Sequence, residues 1–194
     1  MNNTINIAVV GLGQVGIYLL NELNTKKKEI ELKTGKKINV VAVSAKNINK
    51  KRQFKVNKKI FFKNPLEIFN KKKVDILFEA IGLSDGISKK VVESALKKKI
   101  HVITPNKALI SKHGNELAKI AELNNVNLEF EASVAGGIPI LRSIKEGLAT
   151  NKISKVYGIL NGTSNYILSE MENSNQSFSD VLKKAQKLGY AEPG

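Results

Sequence analysis

Ile5-Asn6-Ile7-Ala8-Val9-Val10-Gly11-Leu12-Gly13-Gln14-Val15-Gly16 decides the fold of this 194-residue chain. An apolar run feeds straight into Gly-x-Gly-x-x-Gly, after which Val15, Leu19, Leu20 and Leu23 recur at helical spacing. A strand, a glycine turn and a helix in that order form a device for holding a dinucleotide. The first glycine permits the tight turn, the second lets backbone N–H groups approach the pyrophosphate, and the third lets helix and strand pack closely. The helix N-terminus favours the negative charge. Gly11, Leu12, Gly13, Gln14, Val15 and Gly16 are therefore the candidate cofactor-binding residues. A tight turn with no ligand is the plainer alternative.

Outward from that stretch, strand and helix signals alternate. Strands are predicted over 38–45, 74–81, 100–104 and 126–130, and helices over 84–98 and 106–124. Asn64-Pro65 opens a short helix, with Asn64 as cap and Pro65 at the first helical position. The charged stretch 25–37 reads as a loop. Strands separated by helices make an α/β, Rossmann-type doubly wound parallel sheet. Near residue 130 the character changes: a glycine-rich turn (Ala135-Gly136-Gly137-Ile138-Pro139), a helix near 140–148, a strand over 153–160, and helices near 163–172 and 179–188, the last capped by Ser177 or Ser179. The expected organisation is a dinucleotide-binding domain over 1–130 and the beginning of a second domain over 131–194.

Composition narrows the function classes. No apolar run approaches the roughly 18 residues of a membrane span, no secretory leader precedes the first strand, and cysteine is absent. A cytoplasmic protein is expected. The net charge of +15 invites nucleic-acid binding. However, the lysines lie in short tracts at element ends (26–28, 36–37, 71–73, 97–99), where they suit solvated loops and helix C-termini. Arginine occurs only at Arg52 and Arg142, and aromatics do not interleave with the lysines. No specific nucleic-acid partner is expected.

Three segments carry candidate chemistry. The second strand ends Val43-Ser44-Ala45-Lys46, with Lys50, Lys51 and Arg52 beyond and no carboxylate. An acidic residue there would bind ribose hydroxyls, whereas a basic one accommodates a 2′-phosphate. Ser44 and Lys46 thus favour NADP over NAD, unless Lys46 is an ordinary surface lysine. Thr104-Pro105-Asn106-Lys107 lies at the carboxyl end of a central strand, where open α/β sheets place ligands. Lys107 there can stabilise charge on a carbonyl oxygen, or be a solvated helix-start lysine. The turn after Glu131 has main-chain carbonyls able to ligate a hard cation, or is simply a strand-to-helix connection. His101 and His113 have no acidic partner at a suggestive spacing and read as structural.

Together GLGQVG (11–16), HVITPNKALI (101–110), EASVAGGIPIL (131–141), GILNGTSNYIL (158–168) and AQKLGYAEP (185–193) make the chain resemble homoserine dehydrogenases. The resemblance implies reduction of aspartate 4-semialdehyde to L-homoserine with NAD(P)H, a step toward threonine, methionine and isoleucine. It implies that Thr104 and Lys107 meet the nicotinamide side of the cofactor and the substrate, with Lys107 catalytic. It places Asn161, Gly162, Thr163 and Glu192 in the substrate pocket, Glu192 pairing with the α-ammonium group. It sets Glu131, Val134, Gly136 and Ile138 at a sodium site made mainly of backbone oxygens, and it implies a homodimer built through an α+β substrate domain. In the family, GYAEP continues into an acid and a helix with the main proton donor. Here Gly194 follows Pro193, and the resemblance implies a fragment of low activity. A non-catalytic dinucleotide-sensing module is the alternative.

Overall fold

The computed structural model describes residues 3–134, 136–159 and 161–191. The chain divides into two compact units, Met1–Lys145 and Glu146–Gly194. The first contains six parallel strands: β1 Thr4–Val10, β2 Lys37–Ser44, β3 Phe61–Phe62, β4 Ile76–Glu79, β5 His101–Ile103 and β6 Leu128–Glu129. Their order across the sheet is β3-β2-β1-β4-β5-β6. This is the doubly wound sheet that the alternation of signals predicts, and the order reverses between β1 and β4.

β1 supplies both cores. Ile7 and Val9 pack with Leu12, Ile17, Leu20, Ile38 and Val43 on one face. Ala8 and Val10 pack on the other with Ala42, Leu77, Val92, Leu96, Val102, Leu109 and Leu117. A strand covered on both faces reads as a continuous apolar run, as 74–81 and 100–104 also do. The β1–β2 register shifts by one residue between Ile7↔Val40 and Ala8↔Ala42. Val41 is the extra residue of a β-bulge, and with Ala42 it packs toward the second core.

Helix α1 (Gln14–Thr25) follows the glycine turn, and α3 (Ile68–Lys71) follows a 3-10 turn at Pro65–Glu67 capped by Asn64. Helix α4 (Ile87–Lys97) buries Ser88, Val91, Val92, Ala95 and Leu96, while α5 (Lys107–Leu123) buries Leu109, Leu117 and Ala121. Both end alike. Lys99 and Asn125 take the left-handed conformation (φ 59° and 53°), and the next N–H reaches back to Ala95 and Ala121, each at 3.0 Å.

Three sequence expectations give way. The stretch 25–37 contains a helix, α2 (Lys27–Thr34), which buries no residue. A Glu29–Lys33 ion pair, 2.7 Å and four residues apart, supports it, a Glu22–Lys26 pair of the same length ties its N-cap residue to the end of α1, and Gly35 ends it. The predicted strand 153–160 is not formed: residues 151–159 are exposed and form no strand. An apolar β pattern becomes a strand only where another backbone pairs with it, and none does so among the described residues. The predicted helix 140–148 is a short α7 (Ile140–Arg142) running into a π turn over Ser143–Gly147. It is preceded by α6 (Glu131–Val134).

The second unit is a helical hairpin, α8 (Gly162–Ser174) and α9 (Phe178–Lys187), around Ile167, Val181 and Ala185. Ser177 caps α9, accepting from the Asp180 N–H at 3.3 Å.

Candidate functional site: a dinucleotide cradle

The three glycines of the turn have different reasons to be there. Gly11 has φ +91°, and a Cβ on it would lie 2.3 Å from the Ala80 carbonyl, because the end of β4 presses against the turn. A Cβ on Gly16 would lie 1.8 Å from the Gly11 oxygen. The fold itself demands both. Gly13 has φ −73° and faces open space, with nothing within 4 Å of an added Cβ. No contact within the protein calls for a glycine there, whereas close approach of a ligand does.

Gly13 is also the N-cap of α1, and no side chain caps that helix. The N–H groups of Gln14, Val15 and Gly16 precede the first intrahelical bond, Ile17 N–H to the Gly13 oxygen at 3.0 Å. With no acid in the first turn, this end carries an uncompensated positive dipole suited to an anion. Beside it lies a cleft of about 830 Å³, lined by Leu12, Gly13, Gln14 and Val15 and closed by Lys50, Lys51 and Arg52.

Sequence reasoning passed over the role of Arg52. Its guanidinium donates to the carbonyls of Asn47 (2.6 Å), Lys50 (3.0 Å), Ile48 (3.1 Å) and Leu12 (3.2 Å). The loop after β2 is thereby fastened to the glycine turn. Ser44 is buried and its carbonyl accepts from the Gly11 N–H at 2.9 Å. Lys46 is exposed, and it is Lys50 and Lys51 that line the cleft.

Across the switch point, the ends of β4 and β5 meet in a buried polar cluster that also escaped the sequence reading. Glu79 is fully buried. Its carboxylate accepts from Ser88 and Thr104 hydroxyls, each at 2.6 Å, and from the Ile81 N–H at 2.8 Å. Asn106 donates to Ser88 Oγ at 3.0 Å and to the Leu83 carbonyl at 2.9 Å, while its Oδ1 caps α5 at Leu109 N–H, 3.1 Å away. An acid flanked by Phe78 and Ala80 deep in a largely apolar central strand was the available signal. Thr104 is buried with its hydroxyl engaged, so its main chain is what it can offer a cofactor. Lys107, the first residue of α5, is exposed and has no ion pair among the described residues.

His113 does have acidic partners, contrary to the sequence expectation. Its Nε2 lies 2.9 Å from Asp85 and its Nδ1 3.6 Å from Glu116. Glu116 stands three residues on in α5, a helical spacing legible in the sequence, whereas Asp85, just before α4, comes from 28 residues away as α4 packs on α5. The Lys112 ammonium, with Ser84 and His113, holds the Asp85 carboxyl well below the ordinary carboxylate range. Lys89 lowers Glu116 likewise.

Of the remaining candidates, Glu131 accepts from the N–H groups of Leu141 (2.9 Å) and Arg142 (3.0 Å), and the Ile138 carbonyl accepts from Ile140 at 2.8 Å. Val134 and Gly136 are exposed. In the second unit Asn161 Oδ1 caps α8 at the Ser164 N–H, 2.8 Å away, and the Thr163 hydroxyl donates to the Tyr190 carbonyl. Gly162 and Thr163 thus stand in the first turn of α8. Glu192 lies outside the described residues.

A 3-2-1-4-5-6 parallel sheet with an open glycine cradle at its switch point defines a dinucleotide-binding protein of the Rossmann class. Residues 11–131 match the family described as homoserine dehydrogenase, NAD binding domain, and residues 139–194 match homoserine dehydrogenase. The chain is 44% identical over 188 residues to a homoserine dehydrogenase of Neisseria gonorrhoeae, covering 97% of this chain and 43% of that protein. It is 37% identical to one from Bacillus subtilis, covering 97% of this chain and 43% of that protein. A crystal structure of a homoserine dehydrogenase from Thiobacillus denitrificans superposes with a TM-score of 0.80 at 39% identity, covering 98% of this chain and 44% of that one. The chain belongs to the homoserine dehydrogenase family, a family of oxidoreductases, and carries its nicotinamide-dinucleotide-binding domain. It spans less than half the length of these relatives. Among the described residues no helix is long and apolar enough to cross a membrane.

Proposed function

We propose that the chain provides the cofactor-binding part, and a portion of the substrate-binding part, of a cytoplasmic homoserine dehydrogenase. That enzyme interconverts L-aspartate 4-semialdehyde and L-homoserine on the way to threonine, methionine and isoleucine. The observation that carries the reading is the empty flank of Gly13 at an uncapped helix start, a cradle that a Cβ would begin to fill. NADP is proposed over NAD, since β2 ends in Ser44 and the loop after it offers Lys46, then Lys50 and Lys51, and no carboxylate.

When bound, the reduced nicotinamide supplies the hydride that the aldehyde carbon receives. The N–H groups of Gln14, Val15 and Gly16 hold the pyrophosphate. Lys107 donates a hydrogen bond to the substrate oxygen as the carbonyl gains negative charge on its way to the alcohol. The first-turn N–H groups of Gly162 and Thr163 suit the amino acid's carboxylate, and Glu192 its ammonium group. No group of three or more His, Cys, Asp or Glu side chains able to hold a metal occurs among the described residues. A sodium ion would be held, as the family resemblance implies, by Glu131, Val134, Gly136 and Ile138, mainly through backbone oxygens. A homodimer is proposed for the whole protein.

The test is titration of the chain with NADPH and NADH, read by nicotinamide fluorescence. The expected result is saturable binding, tighter for NADPH and displaced by NADP+. Absence of a saturable change with either nucleotide refutes the proposal.

A further inference from the structure

The buried carboxylate of Glu79 takes no part in the chemistry just described, yet four structural elements converge on it. It closes β4. The Phe78↔Ile103 pairing, carried one residue further, sets it beside Thr104 at the end of β5. Ser88 brings the first turn of α4, and Asn106 brings the cap of α5, its amide 3.4 Å from both carboxylate oxygens. Each neighbour's proton is directed inward. Ser88 and Thr104 donate to Glu79 while accepting from Asn106, through its side-chain and main-chain N–H respectively. Asn106 then fixes the Leu83 carbonyl in the β4–α4 loop. No described buried side-chain polar atom lacks a partner.

We propose that Glu79 is a positioning residue for the nicotinamide half of the cofactor. This rests on the dinucleotide reading above and extends it. In a sheet of this order the two halves of a dinucleotide lie on either side of the switch point. The adenosine half lies toward β2 and the nicotinamide half over the ends of β4 and β5. Glu79 sits under the second position. Through Thr104 and Asn106 it sets where β5 stops and α5 begins, and so where Lys107 stands. Through Ile81, Ser88 and Asn106 it sets the β4–α4 loop. An acid answers this task because its two oxygens can accept from several neutral donors at once, whereas an amide would oppose one of them with its own N–H.

The test separates the two halves of the ligand. Glu79→Gln and Thr104→Val, the second removing only the hydroxyl link, are compared with wild type by calorimetric titration. One ligand is whichever of NADPH and NADH binds better. The other is the matching adenosine half, 2′,5′-ADP or AMP. Both variants are expected to weaken the dinucleotide about tenfold, the scale of one buried polar contact, and to leave the adenosine half within about twofold. Retained adenosine-half binding also shows that the variant has folded. If Glu79→Gln binds neither ligand, Thr104→Val decides. Parallel loss of both ligands in both variants, or no loss of either, overturns the proposal. A wild type that binds neither ligand overturns the dinucleotide reading itself, before any variant is made.

Discussion

Adding one methyl group at Gly13 should separate folding from binding. The added Cβ meets nothing within 4 Å and the backbone φ of −73° is ordinary for alanine. Two small effects then oppose each other. Alanine restricts the unfolded chain, worth about 0.4–1 kcal/mol, and is a poorer N-cap than glycine by a similar amount, roughly 0.5–1 kcal/mol. Gly13→Ala should therefore melt within about 2–4 °C of wild type, the shift that 1 kcal/mol produces in a chain of this size. Binding should suffer, because the methyl group stands where a pyrophosphate must approach the N–H groups of α1. Loss of a single hydrogen bond to a charged group costs about 1.5–3 kcal/mol, roughly ten- to 150-fold in affinity. Thermal melts and NADPH titration of Gly13→Ala measure both quantities. Gly16→Ala is the contrast, since its Cβ would lie 1.8 Å from the Gly11 oxygen and should lower the melting temperature. Wild-type NADPH affinity in Gly13→Ala, or its failure to fold, refutes the reasoning.

Lys99→Gly should raise stability by about 1 kcal/mol, seen as a higher melting temperature, because an exposed lysine there holds a left-handed φ of 59°. Asp85→Asn should melt below wild type at neutral pH. The Asp85 carboxyl is held low by Lys112, so its stabilisation is complete above the unfolded value of about 4 and fades as pH falls toward the folded value. Melts of the two proteins should therefore converge on acidification below about pH 4. A gap unchanged down to pH 2 would contradict that account. Lys46→Asp should reduce the preference for NADPH over NADH by about 1–3 kcal/mol. An unaltered ratio of dissociation constants would move that role to Lys50 and Lys51.

Much of the nucleotide domain was legible because its signals are local. Ile5–Val10 reads as a buried strand, the glycines announce the turn, and Asn64-Pro65 and Ser177 announce helix starts. What escaped depended on partners remote in sequence or on forces other than burial. Helix α2 carries a Glu–Lys pair and shows no apolar stripe, so periodicity misses it. The 153–160 segment has the composition of a strand but no described partner. His113 meets Asp85 only because two helices pack side by side. Glu79 was hidden within VDILFEAI, where its neighbours identify it as core; the Ile81 N–H is local, but only the tertiary fold brings Ser88, Thr104 and Asn106 to it.

The extra residue at Val41 bears on how this protein can vary. Beyond the bulge Ser44 stands opposite Val10, and its carbonyl is in reach of the turn that starts at Gly11. Val41 and Ala42 share one face, so removing Val41 alone would restore the regular alternation and leave Val43 and Ser44 on their present faces and opposite their present partners. A foreign β2 end transplanted into this scaffold should therefore work with or without the bulge, provided that the residues paired with Ala8, Val9 and Val10 keep their alternation.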